Sequence, residues 1–130
     1  MSGRGSPAAA GAKRAVIVFA HGSRDALWRE PVEAVAARVR ELDPSLAVAC
    51  AYLEITQPDL IEAATQLIAG GARRVSVLPL FIGVGKHARQ DLPALIGHLR
   101  EAHPLVLFEM RAAVGEDPAM IEAMARLAIG

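Results

Sequence analysis

Cysteine is nearly missing: Cys50 is the only one in 130 residues. No internal disulfide can form, which excludes a stapled secreted scaffold and fits a reducing compartment, so a cytoplasmic location is expected. An excess of one charge is missing too. Fourteen basic and fourteen acidic residues cancel, leaving no electrostatic footprint for nucleic acid. No apolar run approaches the roughly 20 residues that cross a bilayer, so no membrane partner is expected. Aromatics are scarce, at 4% of residues, while hydrophobic residues as a class reach 53%. The core must therefore be built from Ala, Val, Leu and Ile, a composition suited to helices packed on a parallel sheet.

The first residues, Met1–Ala12, are rich in Gly, Ala and Ser and lack the apolar centre of a signal peptide. They read as a disordered leader outside a single domain over 13–130. Within that domain four short apolar runs read as strands: Ala15–Ala20, Leu46–Leu53, Val75–Phe81 and Leu105–Met110. Helical spacing follows each one. Val32, Val35, Ala36, Val39 and Leu42 form a stripe over Glu30–Leu42, with Pro31 in the first turn. Thr56-Gln57-Pro58-Asp59 starts a second helix and Gly70-Gly71 stops it. Leu92, Leu95, Ile96 and Leu99 mark a third, after the loop Gly83–His87. Glu116-Asp117-Pro118 starts the last helix, expected to bury Met120, Ile121, Met124 and Leu127. Strand–helix alternation four times over predicts an α/β fold, a three-layer open sheet of four parallel strands flanked by helices.

Three residues share one position in this repeat. His21 follows the first strand, Glu54 the second and His87 the third, at equal intervals of 33 residues. One strand–helix unit returns the chain to the same edge of a parallel sheet, so the three gather at the carboxyl edge, where open α/β sheets bind ligands. Two imidazoles and a carboxylate there suit a borderline divalent metal or an acid–base set. Gly22 allows a sharp exit from the first strand in His21-Gly22-Ser23-Arg24, and Gly83 and Gly85 let a bulky ligand approach. Asp91, four residues after His87, either orients that imidazole or caps a helix whose first residue is Pro93; the cap is preferred. His98 and His103 read as solvated, Cys50 as an inert core thiol, and Trp28 as packing that can also stack on a ring.

The phrases VIVFAHGSRD, AYLEITQPDL and VLPLFIGVGKHARQDLP are similar to the small class II tetrapyrrole chelatases, the sirohydrochlorin cobaltochelatases and ferrochelatases of cobalamin and sirohaem synthesis. The resemblance runs from Ala15 to Ile129. It implies one half of a two-lobed body, rebuilt by a homodimer. It implies a lyase-type enzyme that inserts cobalt, iron or nickel into a sirohydrochlorin-like ring, with the metal as substrate and no organic cofactor. His21 and His87 match the family's two active-site histidines and Glu54 an acidic metal contact. Base and ligand roles stay undivided among them. Ser23, Arg24, Gly83, Gly85, Lys86 and Arg89 lie nearest and would hold the ring, whose carboxylates suit cationic side chains. Two rivals remain: a non-enzymatic metal carrier or sensor with the same two histidines, and a phosphate-handling hydrolase suggested by Gly85-Lys86 before a helix.

Overall fold

The computed structural model describes residues 13–130; the expected leader Met1–Ala12 lies outside the described residues. Four parallel strands, β1 (Arg14–Ala20), β2 (Ala47–Tyr52), β3 (Arg74–Pro79) and β4 (Leu107–Met110), stand in the order β2-β1-β3-β4. The helices are α1 (Glu30–Leu42), α2 (Leu60–Ala69), α3 (Lys86–Ala102) and α4 (Pro118–Ile129). Short 3-10 turns at Ala26–Arg29 and Val114–Glu116 complete the chain. The sheet is open and parallel, as expected from the alternation.

Strand side chains alternate across the sheet. On one face Ala15, Ile17, Phe19, Val75 and Val77 meet α2 and α3 through Leu60, Ala63, Ala64, Leu92, Ile96 and Leu99. On the other, Val18 and Ala20 meet Val32 and Ala36 of α1, with Tyr52 beside them. The two faces are unequally covered. Alternation places Arg74, Ser76 and Leu78 of β3 and Leu107 and Glu109 of β4 on the α1 side, and all five stay partly or fully exposed.

Three expectations need correction. The last helix buries none of its residues: Met120, Ile121 and Leu127 are 40%, 51% and 81% exposed, and only Met124 is half-covered. Periodicity finds an apolar stripe but not what covers it. On α1, Val35 and Leu42 fall outside the contact; α1 buries only Val32 and Ala36. The third helix begins at Lys86, not near Pro93, so Asp91 is no cap and Pro93 lies inside the helix. Pro93 and Arg89 are both exposed, and the proline leaves the Arg89 carbonyl without its helical donor.

Candidate active site

The carboxyl ends of β1, β2 and β3 are tied together by backbone. The Leu53 and Glu54 amides donate to the carbonyls of Ala20 (2.9 Å) and His21 (3.0 Å), and the Leu80 amide donates to that of Phe19 (2.7 Å). The chain then turns sharply on both sides of this lacing. Gly22 adopts φ +108°, and a Cβ there would stand 1.9 Å from the carbonyl oxygen of Glu54. Only glycine fits that approach. Opposite it, the Thr56 amide donates to the Glu54 carbonyl at 2.7 Å across Ile55, whose φ is +69°. A β-branched residue in this left-handed region is strained, by about 1–3 kcal/mol.

Thr56 holds the strained turn in place. It is the one buried polar residue among those described. Its Oγ1 accepts from the Ser23 amide (3.0 Å) and its hydroxyl donates to the Ser23 carbonyl (2.9 Å). Ser23 and Thr56 are again 33 residues apart, so the latch repeats the interval of the site residues. Sequence reading took Thr56 for a helix-start residue and missed this role. The cap of α2 is Asp59 instead, in a reciprocal box with Glu62.

His21 is exposed and its ring stacks on Phe81 at 4.2 Å between centroids, with the planes 28° apart. Phe81 is itself buried and contacts Phe19 in the core. The first imidazole therefore rests on a rigid apolar floor, which composition gave no reason to expect. His87 is the second residue of α3, whose N-cap is Gly85 with no side-chain cap. The first amides of that helix are left for a ligand or water.

One open hollow of about 500 Å³ collects these parts. It is lined by His21, Leu53, Glu54, Gly85, Lys86, His87, Ala88 and Asp91. The three residues spaced at 33 thus share a single site, and Asp91 joins them from the next turn of α3. They do not form a closed coordination sphere: among the described residues no three His, Cys, Asp or Glu stand close enough to hold an ion together. Of the other expected contacts, Gly85 and Lys86 line the hollow, whereas Ser23, Arg24, Gly83 and Arg89 lie outside its lining. The Ser23 hydroxyl instead accepts from the Asp25 amide at 3.0 Å. Arg24, Lys86 and Arg89 are exposed and take part in none of the ion pairs among the described residues.

A second hollow of about 360 Å³ adjoins the first, sharing Leu53 and Asp91 and extending to Ala94, Leu95 and His98. His87, Asp91, Leu95 and His98 follow helical spacing along one face of α3. His98, expected to be merely solvated, is exposed on the wall of this groove. His103 is half-buried, with its ring 6.2 Å from that of Phe108, so it is only partly solvated. Trp28 packs on Tyr52 at 6.2 Å, as expected. Cys50 is only half-buried in the edge strand β2, where its thiol donates weakly to the Val32 carbonyl at 3.9 Å. Burial pushes that thiol up from its ordinary value. The carboxyl edge also shows apolar side chains to water: Leu27, Trp28, Ile55 and Ile82 are all exposed.

Comparison with known proteins agrees with this fold. The CbiX family model matches residues 15–129. The chain is 31% identical over 83 residues to the sirohydrochlorin cobaltochelatase of Methanopyrus kandleri, an alignment covering 64% of this chain and 58% of the relative. It spans about three-fifths of the length of such relatives. The crystal structure of the CbiX protein from Marinobacter aquaeolei VT8 superposes with a TM-score of 0.77 at 31% identity, covering 88% of this chain and 93% of that one. The sirohydrochlorin chelatase SirB from Bacillus subtilis subspecies spizizenii, solved in complex with cobalt, shares the fold at a TM-score of 0.75 and 21% identity; 88% of this chain covers 49% of SirB. With its family model matched from the first buried strand residue to the last helix, the chain belongs to the CbiX family.

Proposed function

We propose that this chain is a tetrapyrrole chelatase, inserting a divalent metal into a sirohydrochlorin-type ring for cobalamin or sirohaem synthesis. The observation that carries the reading is the single hollow shared by His21, Glu54 and His87. The relatives named sirohydrochlorin cobaltochelatase support it. Cobalt is the first expectation for the metal, with iron and nickel also accepted by imidazole and carboxylate ligands.

The chemistry has simple requirements. A free-base ring exchanges its two inner N–H protons for one M²⁺, so two N–H bonds break and two protons leave as four metal–nitrogen bonds form. The imidazoles of His21 and His87 accept protons or hold the arriving ion, and Glu54 serves as an additional contact or proton acceptor. The open arrangement suits a substrate metal, because a closed four-ligand cage retains its ion. Asp91, one turn from His87, is a positioning residue for that ring. The exposed apolar side chains of the same edge suit a flat macrocycle. Arg24, Lys86 and Arg89 hold its carboxylates, with Ser23, Gly83 and Gly85 as backbone neighbours. Two copies pair, each supplying one wall of the cleft, and residues 13–130 act as one unit in the cytoplasm.

The test is an absorbance assay of cobalt insertion into sirohydrochlorin. The wild-type chain should accelerate insertion, and His21→Ala and His87→Ala should each lose about 10²-fold or more in rate. Full activity in both variants overturns the mechanism. Cobalt binding without any response to the ring would make the chain a metal carrier instead.

A further inference from the structure

We infer that Ile55 and Ile82 are ledges for the flat face of the ring, held out in water by two glycine clamps beneath them. The inference rests on the chelatase reading above and adds contacts that neither the histidines nor the cations supply. Both side chains belong to the carboxyl edge and both face water, at 61% and 72% exposure. Ile55 directly follows Glu54, and Ile82 directly follows Phe81, the floor under His21. With the strands in the order β2-β1-β3, the two isoleucines stand on either side of His21.

The backbone beneath each one is fixed. Among the described glycines, only Gly22 and Gly115 leave no room for a Cβ. On Gly22 it would overlap the carbonyl oxygen of Glu54, next to Ile55; on Gly115 it would overlap the carbonyl oxygen of Ile82 itself. The Gly115 amide also donates to the Phe81 carbonyl at 3.0 Å. Ile55 is in addition the one non-glycine residue with positive φ among those described. Its exposed side chain gains little burial to offset that strain, and strain of this kind collects at binding sites. A β-branched side chain on a fixed backbone has few rotamers left, so meeting a ligand costs it little further freedom.

The span selects the occupant. Ile55 and Ile82 follow strands two spacings apart, roughly 10 Å. A bare ion or a phosphate does not reach both, whereas a flat macrocycle lying across His21 does. Charge agrees with this. Arg24, Lys86 and Arg89 are exposed and take part in none of the ion pairs among the described residues. Carboxylates at the rim of such a ring meet cations while its apolar face meets the isoleucines.

Metal-free sirohydrochlorin tests this, titrated into the full chain and followed by the ring's visible absorbance. With no metal there is no insertion, so the titration reads ring contact alone. Ile55→Asn and Ile82→Asn should each raise Kd for the ring by about tenfold or more. The two sites are far enough apart that the double variant should lose about the product of the single losses. In the cobalt-insertion assay the loss should fall on KM for the ring rather than on kcat. Asparagine takes a positive φ more readily than isoleucine, so Ile55→Asn should unfold in urea at the same or a higher midpoint. A lower midpoint would make Ile55 a packing residue and sink the ledges; if that variant does not fold, Ile55→Gly is titrated in its place. A wild type that ignores the ring sinks the chelatase reading and the ledges together. Ring affinity kept in either single variant sinks the ledges and leaves that reading; a changed sedimentation rate in the same variant would then assign its isoleucine to a contact between copies.

Discussion

Gly22 and Thr56 do for the site what ligands cannot do for themselves. They bring the loop after β1 against the loop after β2, so that His21 and Glu54 reach one hollow. Gly22→Ala should destabilise the fold by about 3 kcal/mol or more, since the new methyl meets a carbonyl in a left-handed conformation. Urea unfolding reads this directly. Thr56→Val keeps the shape but strands the Ser23 amide and carbonyl, at a cost of about 1–3 kcal/mol; Thr56→Ser should recover most of it. Cys50 gives a third expectation. Burial holds its thiol protonated beyond the ordinary range, so thiol titration with a disulfide reagent at pH 8 should be slower in the folded than in the urea-unfolded chain. The sign follows for stability as well: the unfolded chain releases that proton first, so this group opposes folding as pH rises past the unfolded value. At this scale His21, Glu54 and His87 were legible because one interval repeats through a repeating architecture. Thr56 and Phe81 were not, because their roles are contacts between loops, and a hydroxyl or a phenyl ring carries no spacing signal of its own.

The helices show where pattern reading succeeds and where it slips. The bounds of α1 were legible from Pro31 and Asp43-Pro44. The N-terminus of α2 was placed in the right turn, yet its cap is Asp59 and not Thr56. Asp59→Ala should cost about 1 kcal/mol by thermal or urea unfolding. The start of α3 was misread because a proline usually marks a first turn. In α3 it sits eight residues in, on the exposed side. Pro93→Ala should therefore stabilise the chain by about 1 kcal/mol or more, as the Arg89 carbonyl regains its helical donor. An unchanged or lower midpoint of unfolding would show that this side of the helix has no bond to regain. The corrected start also matters chemically, since it puts His87 and Asp91 one turn apart on the same helix.

The open parallel sheet and the edge where His21, Glu54 and His87 gather followed from alternation and chain crossover alone; the strand order did not. The covering of the sheet did not follow, because a stripe on a helix records only that something apolar must meet it. Sequence predicts that α4 is amphipathic; it does not record which surface meets that stripe. If two copies pair as proposed, the midpoint of thermal unfolding should rise with protein concentration. A concentration-independent midpoint would mean that each copy is stable by itself.

All strands run the same way, and Lys13 enters β1 at the rim farthest from His21 and His87. A tether attached ahead of Lys13 therefore holds the molecule by its back. Anchored to a bead or sensor chip in that orientation, the protein presents its mouth to the bulk solution, free to meet a large planar molecule head-on.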